Sequence, residues 1–417
     1  MSFWAWGGLV AAAAYWGVPY SVWQWWGLGV VQRGLGSARP ELGLTFDDGP
    51  DPDTTPGVLD ALADAGARAT FFVLGERAAA HPELVERLLV EGHELALHGW
   101  RHRHGWIRTP WEAYADVVRG ARELEDLTGS RPRFYRPPHG AYTWAQQAAV
   151  RSLGLTPVHW TVEAHDWHPK YKPRDVIKRV VEGGYFPGEP FRVEGAAPGD
   201  IVVMHDAGPG GRTAVEALPE LLAELKRRGF NPKPVGELRG LRRGRWRDLP
   251  KRAWVATVDR FFDRVYHVEE LNYAAHSVFR VAKGEYPGPA VTLPNGSLLE
   301  PGVPAAELHL HSERMARAGE AGSLTAFRFF KRSMPDLARA LRERPHLADI
   351  QVFWGVSLFQ EILEPVGFQM VELPPGRRKF LGSYMHFLHK LYGGTPLKRV
   401  WPKLVLIDRE TLLDRYG

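Results

Sequence analysis

Residues 44–50 read Leu-Thr-Phe-Asp-Asp-Gly-Pro, an apolar run that ends on two adjacent carboxylates and then turns. On extended backbone, neighbouring side chains point to opposite sides, so Asp47 and Asp48 divide their work. One can hold a cation while the other faces a substrate. Further ligands stand about fifty residues on, at His98 and His102. A spacing of i and i+4 predicts one helical turn with both imidazoles on the same face, within reach of one ion. Asp48, His98 and His102 then supply three protein ligands and leave room for water or substrate, as a catalytic metal site requires.

Further motifs extend this pattern: Arg136-Pro137-Pro138-His139-Gly140, Asp166-Trp167 and Ile201-Val202-Val203-Met204-His205-Asp206. With Thr45–Pro50 and His98–His102 they resemble, in order, the five motifs of the NodB-type polysaccharide deacetylases, carbohydrate esterase family 4. The resemblance runs from about Glu41 to Leu238. It implies a distorted, incomplete (β/α) barrel and removal of N-acetyl groups from amino-sugars. It makes Asp47 the base, Arg136 the partner that keeps it ionised, His205 the acid and Asp166 the carboxylate that charges His205. Metal would sit on Asp48, His98 and His102, and His139, Trp167 and Tyr142 would contact substrate. Zinc suits a His/His/Asp set best, with cobalt, nickel or manganese as alternatives. An ion there polarises a carbonyl and lowers the pKa of bound water towards ~7. Three positions depart from the family: Gly99 replaces Ser or Thr, His139 replaces an aromatic residue, and Glu163 replaces Asp. The missing hydroxyl at Gly99 predicts a looser metal loop.

Outward from these motifs, apolar runs alternate with amphipathic segments. Strands are expected at Gly43–Phe46, Thr70–Val73, Glu94–Leu97, Phe134–Arg136, Thr156–Trp160 and Asp200–His205, and helices at Pro82–Glu91 and Trp111–Leu127. Such alternation predicts a parallel sheet covered by helices, with the site at the strand C-termini. His159, His165 and His168 read as a surface cluster beside the site.

With 417 residues and 44% hydrophobic content, the chain is long enough for two domains. It has no Cys, so thiolate ligands and disulfides are excluded. A net charge of +5 and the lack of any nucleic-acid motif argue against a nucleic-acid partner. Residues 1–32 carry no charged side chain and hold six of the sixteen Trp. Such composition predicts an apolar helix that anchors the chain in a membrane, with Trp at the interface. A wall glycan as substrate would put the catalytic domain on the extracytoplasmic side, although Arg33 and Arg39 favour the opposite orientation.

The expected organisation is therefore a membrane segment at 1–32, a deacetylase-like domain at 40–238, a basic linker at 239–252 and a smaller α+β unit at 253–417. That last unit resembles the YkoP-like module. Helices are expected there at Phe261–Phe279, Ser323–Arg344 and His346–Gly367, with a hairpin about Asn295-Gly296. The substrate is read as an acetylated amino-sugar glycan or glycolipid. Two rival readings stand beside this one: a deacylase of membrane-borne, lipid-linked saccharide, and a catalytically silent glycan-binding scaffold.

Overall fold

The computed structural model describes residues 13–36, 39–189, 192–391 and 401–417. Contacts divide the chain into two units, residues 1–35 with 39–249 and residues 36–38 with 250–417.

The first unit is built on a parallel sheet. Its strands are β1 (Glu41–Asp47), β2 (Thr70–Val73), β3 (Glu94–Leu97), β4 (Phe134–Tyr135), β5 (Thr156–Pro157), β6 (Val162–Glu163), β7 (Ile201–His205) and β8 (Asn231–Lys233). They run β5-β4-β3-β2-β1-β7-β6, with β8 beside the start of β1. Every residue of β1 is buried, as expected for a parallel strand covered on both faces. Burying a side chain such as Phe46 or Leu44 contributes roughly 1.5–3 kcal/mol, so the sequence Leu-Thr-Phe has a strong reason to lie at the centre.

Helices α1 (Thr55–Ala65), α2 (Gly75–Ala80), α3 (Pro82–Val90), α4 (Pro110–Thr128), α5 (Trp144–Ser152), α6 (Pro173–Val181) and α7 (Gly208–Arg227) connect the strands. Helix α4 starts at a capping box formed by Thr109 and Glu112 and stops at Gly129, which is left-handed. Register fixes the site. His205 pairs with Asp47 and Asp47 with Phe72, while β3 and β4 end just before His98 and Arg136. The chemistry-bearing residues therefore gather at one end of the sheet.

The barrel is incomplete between β5 and β6, and a short segment, Val31–Arg33, lies in the opening. Val31 bridges Val158, and Arg33 bridges Asp200. Val31 joins Phe72, Ala96, Phe134 and Ile201 in a buried core, and its strand pairs with Arg242–Arg243.

This placement lies within the segment expected to anchor the chain in a membrane. Residues 1–12 of the expected membrane segment lie outside the described residues. The rest forms two short helical turns, Ala13–Gly17 and Tyr20–Trp25, followed by strand. Among the described residues no helix is long and apolar enough to cross a membrane. Pro19 is itself helical and joins the two turns, so that residues 13–25 run on without a break, and Trp23 packs edge-on against Trp144 at 4.7 Å. Trp23 and Val31 of this apolar segment pack on the barrel.

The second unit has a six-stranded sheet: β9 (Glu269–Glu270), β10 (Phe279–Glu285), β11 (Pro304–Leu310), β12 (Val352–Ser357), β13 (Gln369–Val371) and β14 (Lys403–Asp408). The order is β9-β10-β11-β12-β14-β13. Helices α8 (Ser312–Glu320), α9 (Ser323–Glu343), α10 (Pro375–Leu391) and α11 (Arg409–Tyr416) complete it. Two expected helices differ. Only Arg260–Val265 of the first is helical, because Glu269–Glu270 pairs with β10. The second contains β12, where Val-Phe-Trp-Gly-Val suits a strand better than a helix. Around Asn295-Gly296, Val291–Thr292 pairs with Leu298–Leu299 as a hairpin.

Candidate active site

Asp47 closes β1 and is 3% exposed. Arg136, entirely buried, donates from Nη1 to Asp47 Oδ1 at 2.6 Å and to Thr45 Oγ1 at 2.8 Å. From Nη2 it donates to the His159 carbonyl at 3.3 Å, and its guanidinium lies 4.1 Å above the Phe72 ring. A permanently charged fork thus holds one oxygen of Asp47 in place. His98 Nδ1 stands 4.0 Å from the other.

Asp48 points elsewhere for a reason different from strand alternation. Its φ is 80°, a left-handed turn that swings the carboxylate out of the strand. Asp48 Oδ1 lies 3.3 Å from His98 Nε2 and 3.1 Å from His102 Nε2. All three potential ligand atoms fall within 4.8 Å of one another. Among the described residues Asp48 Oδ1 is buried with no hydrogen-bond partner, an acceptor that a divalent cation would satisfy. Burial alone would raise the Asp48 pKa, but the neighbouring His98, with His205 and His102, holds it well below the usual carboxylate range. His102 is lowered to about 4, chiefly by burial. Ionised carboxylate and neutral imidazole are the forms that bind metal.

The expected helical turn between His98 and His102 is absent: residues 98–104 are irregular. Gly99 has φ 92°, which a helix does not permit, and the loop is pinned instead. His98 N donates to Val73 O at 2.8 Å, and the Gly99 and Trp100 carbonyls accept from Gly75 N and Glu76 N. Asp116, on α4, accepts from Trp100 N at 3.0 Å and Arg101 N at 3.2 Å. The Asp116 carboxylate pairs with buried Arg108 at 2.8 Å, and Arg108 also donates to the Arg101 carbonyl at 2.7 Å. The loop expected to be loose is therefore clamped. A Cβ at position 99 would stand 2.6 Å from Asp116 Oδ2.

Across the sheet, His205 Nδ1 lies 2.8 Å from Asp166 Oδ1, and its backbone N donates to Asp166 Oδ2 at 2.7 Å. Burial alone would lower the His205 pKa. The Asp166 charge and hydrogen bond outweigh it, assisted by Asp48 and Asp47, and raise it to about 10. Trp167 is 45% exposed, with its indole N–H donating to Glu163 at 3.1 Å.

His139 sits in a tight turn at φ 58°, its ring 4.4 Å from His102 and 5.1 Å from His104. Tyr142 is a correction. It is fully buried and its hydroxyl donates to the Val158 carbonyl at 3.0 Å, so it has no surface to offer a sugar. His159 also departs from the surface cluster expected of it, being 7% exposed against Trp160.

Sequence reasoning gave no role to Asp206 or Asp116. Asp206 is fully buried and accepts from Gly49 N at 3.0 Å and Thr55 Oγ1 at 2.7 Å, which ties down the turn carrying Asp48. Burial raises its pKa to about 7. Its place after His205 was the available signal. Asp116 gives none, since it is one acid on an amphipathic helix.

A chitooligosaccharide deacetylase of Bradyrhizobium is 35% identical over 222 residues, covering 50% of this chain and 95% of that protein. The chain belongs to the polysaccharide deacetylase family. The family's model matches residues 36–158, and the model of the YkoP domain matches residues 251–416. The peptidoglycan-N-acetylglucosamine deacetylase PgdA of Listeria monocytogenes is 35% identical over 199 residues, 48% of this chain. The match spans 39% of that relative's length. Among solved structures, peptidoglycan deacetylase PdaC from Bacillus subtilis has 27% identity and a TM-score of 0.41, covering 54% of this chain and 98% of that one. Members of this family depend on a metal, and the Asp48–His98–His102 cluster is the candidate place for it here.

Proposed function

We propose that the chain is a hydrolase that removes N-acetyl groups from the amino-sugars of a glycan, in the chemical class of peptidoglycan or chitooligosaccharide. One observation carries this reading: a base held by Arg136 and an acid held by Asp166 flank a three-residue ligand set. The relatives' named substrates support the same class.

Asp48, His98 and His102 would hold the divalent ion, and zinc fits two imidazoles and a carboxylate. When bound, such an ion supplies Lewis acidity towards the acetyl carbonyl and an attacking water. The remaining work falls to side chains. Asp47, held in place by Arg136, takes a proton from water as its oxygen adds to the amide carbon. The His139 backbone N–H donates to the developing oxyanion. His205, protonated at neutral pH, gives its proton to the sugar nitrogen as the C–N bond breaks, leaving acetate and a free amine. Trp167 supplies an apolar wall for the sugar or the acetyl methyl.

Acetate release from acetylated chitooligosaccharides and from peptidoglycan, with and without a chelator, tests this reading. Release by the wild type that chelation and Asp48→Ala both abolish is the expected result. A protein without stoichiometric metal that functions unchanged as Asp47→Asn would be the silent scaffold instead.

A second reading concerns location. Aromatic side chains gather near the rim that carries His104: Tyr20 meets Trp106 edge-on at 5.4 Å, and His104 meets Trp106 at 5.1 Å. Ile107 and Trp111 are 69% and 83% exposed. Trp-rich rims suit the bilayer interface, so we place the site beside a membrane surface on its extracytoplasmic side. Flotation with lipid vesicles that fails for wild type, or persists unchanged in Ile107→Ser/Trp111→Ser, would refute this placement.

A further inference from the structure

The sheet of the second unit has two unlike faces. One is largely apolar and packs Phe353, Val405 and Ile407 against Phe330, Met334 and Leu337 of α9. The opposite face also has an apolar floor, of Val352, Leu404 and Leu406, yet it carries charge in its middle. Glu307 stands in register with Trp354, and His309 in register with Arg280. Charged groups on an inner strand, half covered, are costly unless something uses them.

A cavity of about 460 Å³ opens over this face, with Trp354, Arg377, Glu372, Pro287 and Pro289 among its walls. That volume lies within the range of small-molecule sites, roughly 300–1,000 Å³. The Glu307 carboxylate is 3.8 Å from His309 Nε2 and lies in the field of Arg377. Burial pushes the Glu307 carboxyl above its ordinary value and His309 down to about 4. His309 Nε2 and the Tyr286 hydroxyl are buried with no hydrogen-bond partner among the described residues. The Tyr286 hydroxyl lies against Gly288, in the same wall. An indole and a guanidinium in the walls, with Glu307 in register with that indole on the same sheet face, suit a ligand that offers an apolar ring face and polar groups at its edge.

We propose that this cavity binds a pyranose unit of a glycan, stacked on Trp354, with Glu307 and Arg377 taking its hydroxyl and acyl groups. The second unit is then a saccharide-binding module. Its ligand rests on the deacetylase reading in one respect, that both units engage the same polymer. Two sites on one strand raise the effective concentration of each for the other.

The test is co-sedimentation of the full chain with insoluble chitin and with peptidoglycan, alongside acetate release. Wild type and Asp48→Ala should pellet alike. Trp354→Ala and Arg377→Ala should each weaken binding about fivefold or more, as loss of a central contact does, with the native circular dichroism spectrum kept at the assay temperature. Should Trp354→Ala fail to fold, Arg377→Ala and Glu307→Gln decide. Folded variants that pellet like wild type, or a wild type that does not pellet, would overturn the proposal. Trp354-dependent pelleting without any acetate release would remove the deacetylase reading and leave this one standing.

Discussion

The Asp116 carboxylate fills the space that a side chain at Gly99 would need, its Oδ2 standing 2.6 Å from where that Cβ would lie. The acid reaches Trp100 N and Arg101 N from α4 and so holds the loop between the two histidines. Support of this kind orients ligands without touching the ion, and its loss typically lowers metal affinity roughly 10–100-fold. Asp116→Ala should therefore weaken zinc affinity by that order, measured by competition with a chromophoric chelator. The melting temperature of the metal-free protein serves as the control for folding. Gly99→Ala should weaken it too, since φ of 92° strains any side chain and the new Cβ displaces the carboxylate.

Arg136 and Asp47 form a pair that is only 0% and 5% exposed at the side chains. Removing one partner of a buried pair strands the other charge and costs about 3–5 kcal/mol. Arg136→Met should lower stability by that order in urea unfolding and abolish acetate release. Arg136→Lys keeps the charge but not the fork that spans Asp47, Thr45 and the His159 carbonyl. It should regain much of the stability and little of the rate.

Asp166 gives a pH prediction with a definite sign. Folded His205 titrates at about 10, against roughly 6.5 for a free imidazole. The folded state holds this proton more tightly, so the stabilisation is complete below about 6.5 and is lost as pH rises through about 10. Asp166→Asn removes the charge that opposes burial. The alkaline limb of the pH–rate profile should move to lower pH, and the extra stability of wild type over the variant should shrink on going from pH 6 to pH 10.

Asp206 lies behind Asp48, bonded to Gly49 N and Thr55. Asp206→Ala strips Gly49 N of its partner and Thr55 Oγ1 of one of its two, in a buried site, at a cost of about 1–3 kcal/mol. The turn that carries Asp48 loosens with them. Acetate release should fall together with metal affinity, read by isothermal titration.

The central strands were legible because Leu-Thr-Phe and Thr-Phe-Phe-Val are short apolar runs bounded by turn residues, which leave few other conformations. His205 beside Asp166 was equally open to reading from its motif. The loop from His98 to His102 was not, since i,i+4 spacing is silent about what lies at Gly99, and Asp116 is distant in sequence. The N-terminal segment is ambiguous in sequence for a similar reason. A Trp-rich apolar run looks alike whether lipid or the barrel accepts it, and Val31 shows its choice only through its bridge to Val158. Tyr142 sits next to a substrate-facing motif, yet its hydroxyl turns inward to Val158.

Acetate release from N-acetylated chitooligosaccharide, measured on metal-stripped protein before and after zinc is restored, for wild type and Asp48→Ala, tests the whole account most directly. Wild type should be silent when stripped and active when reloaded, and Asp48→Ala silent in both. Equal release by stripped and reloaded wild type, or by Asp48→Ala, would contradict it.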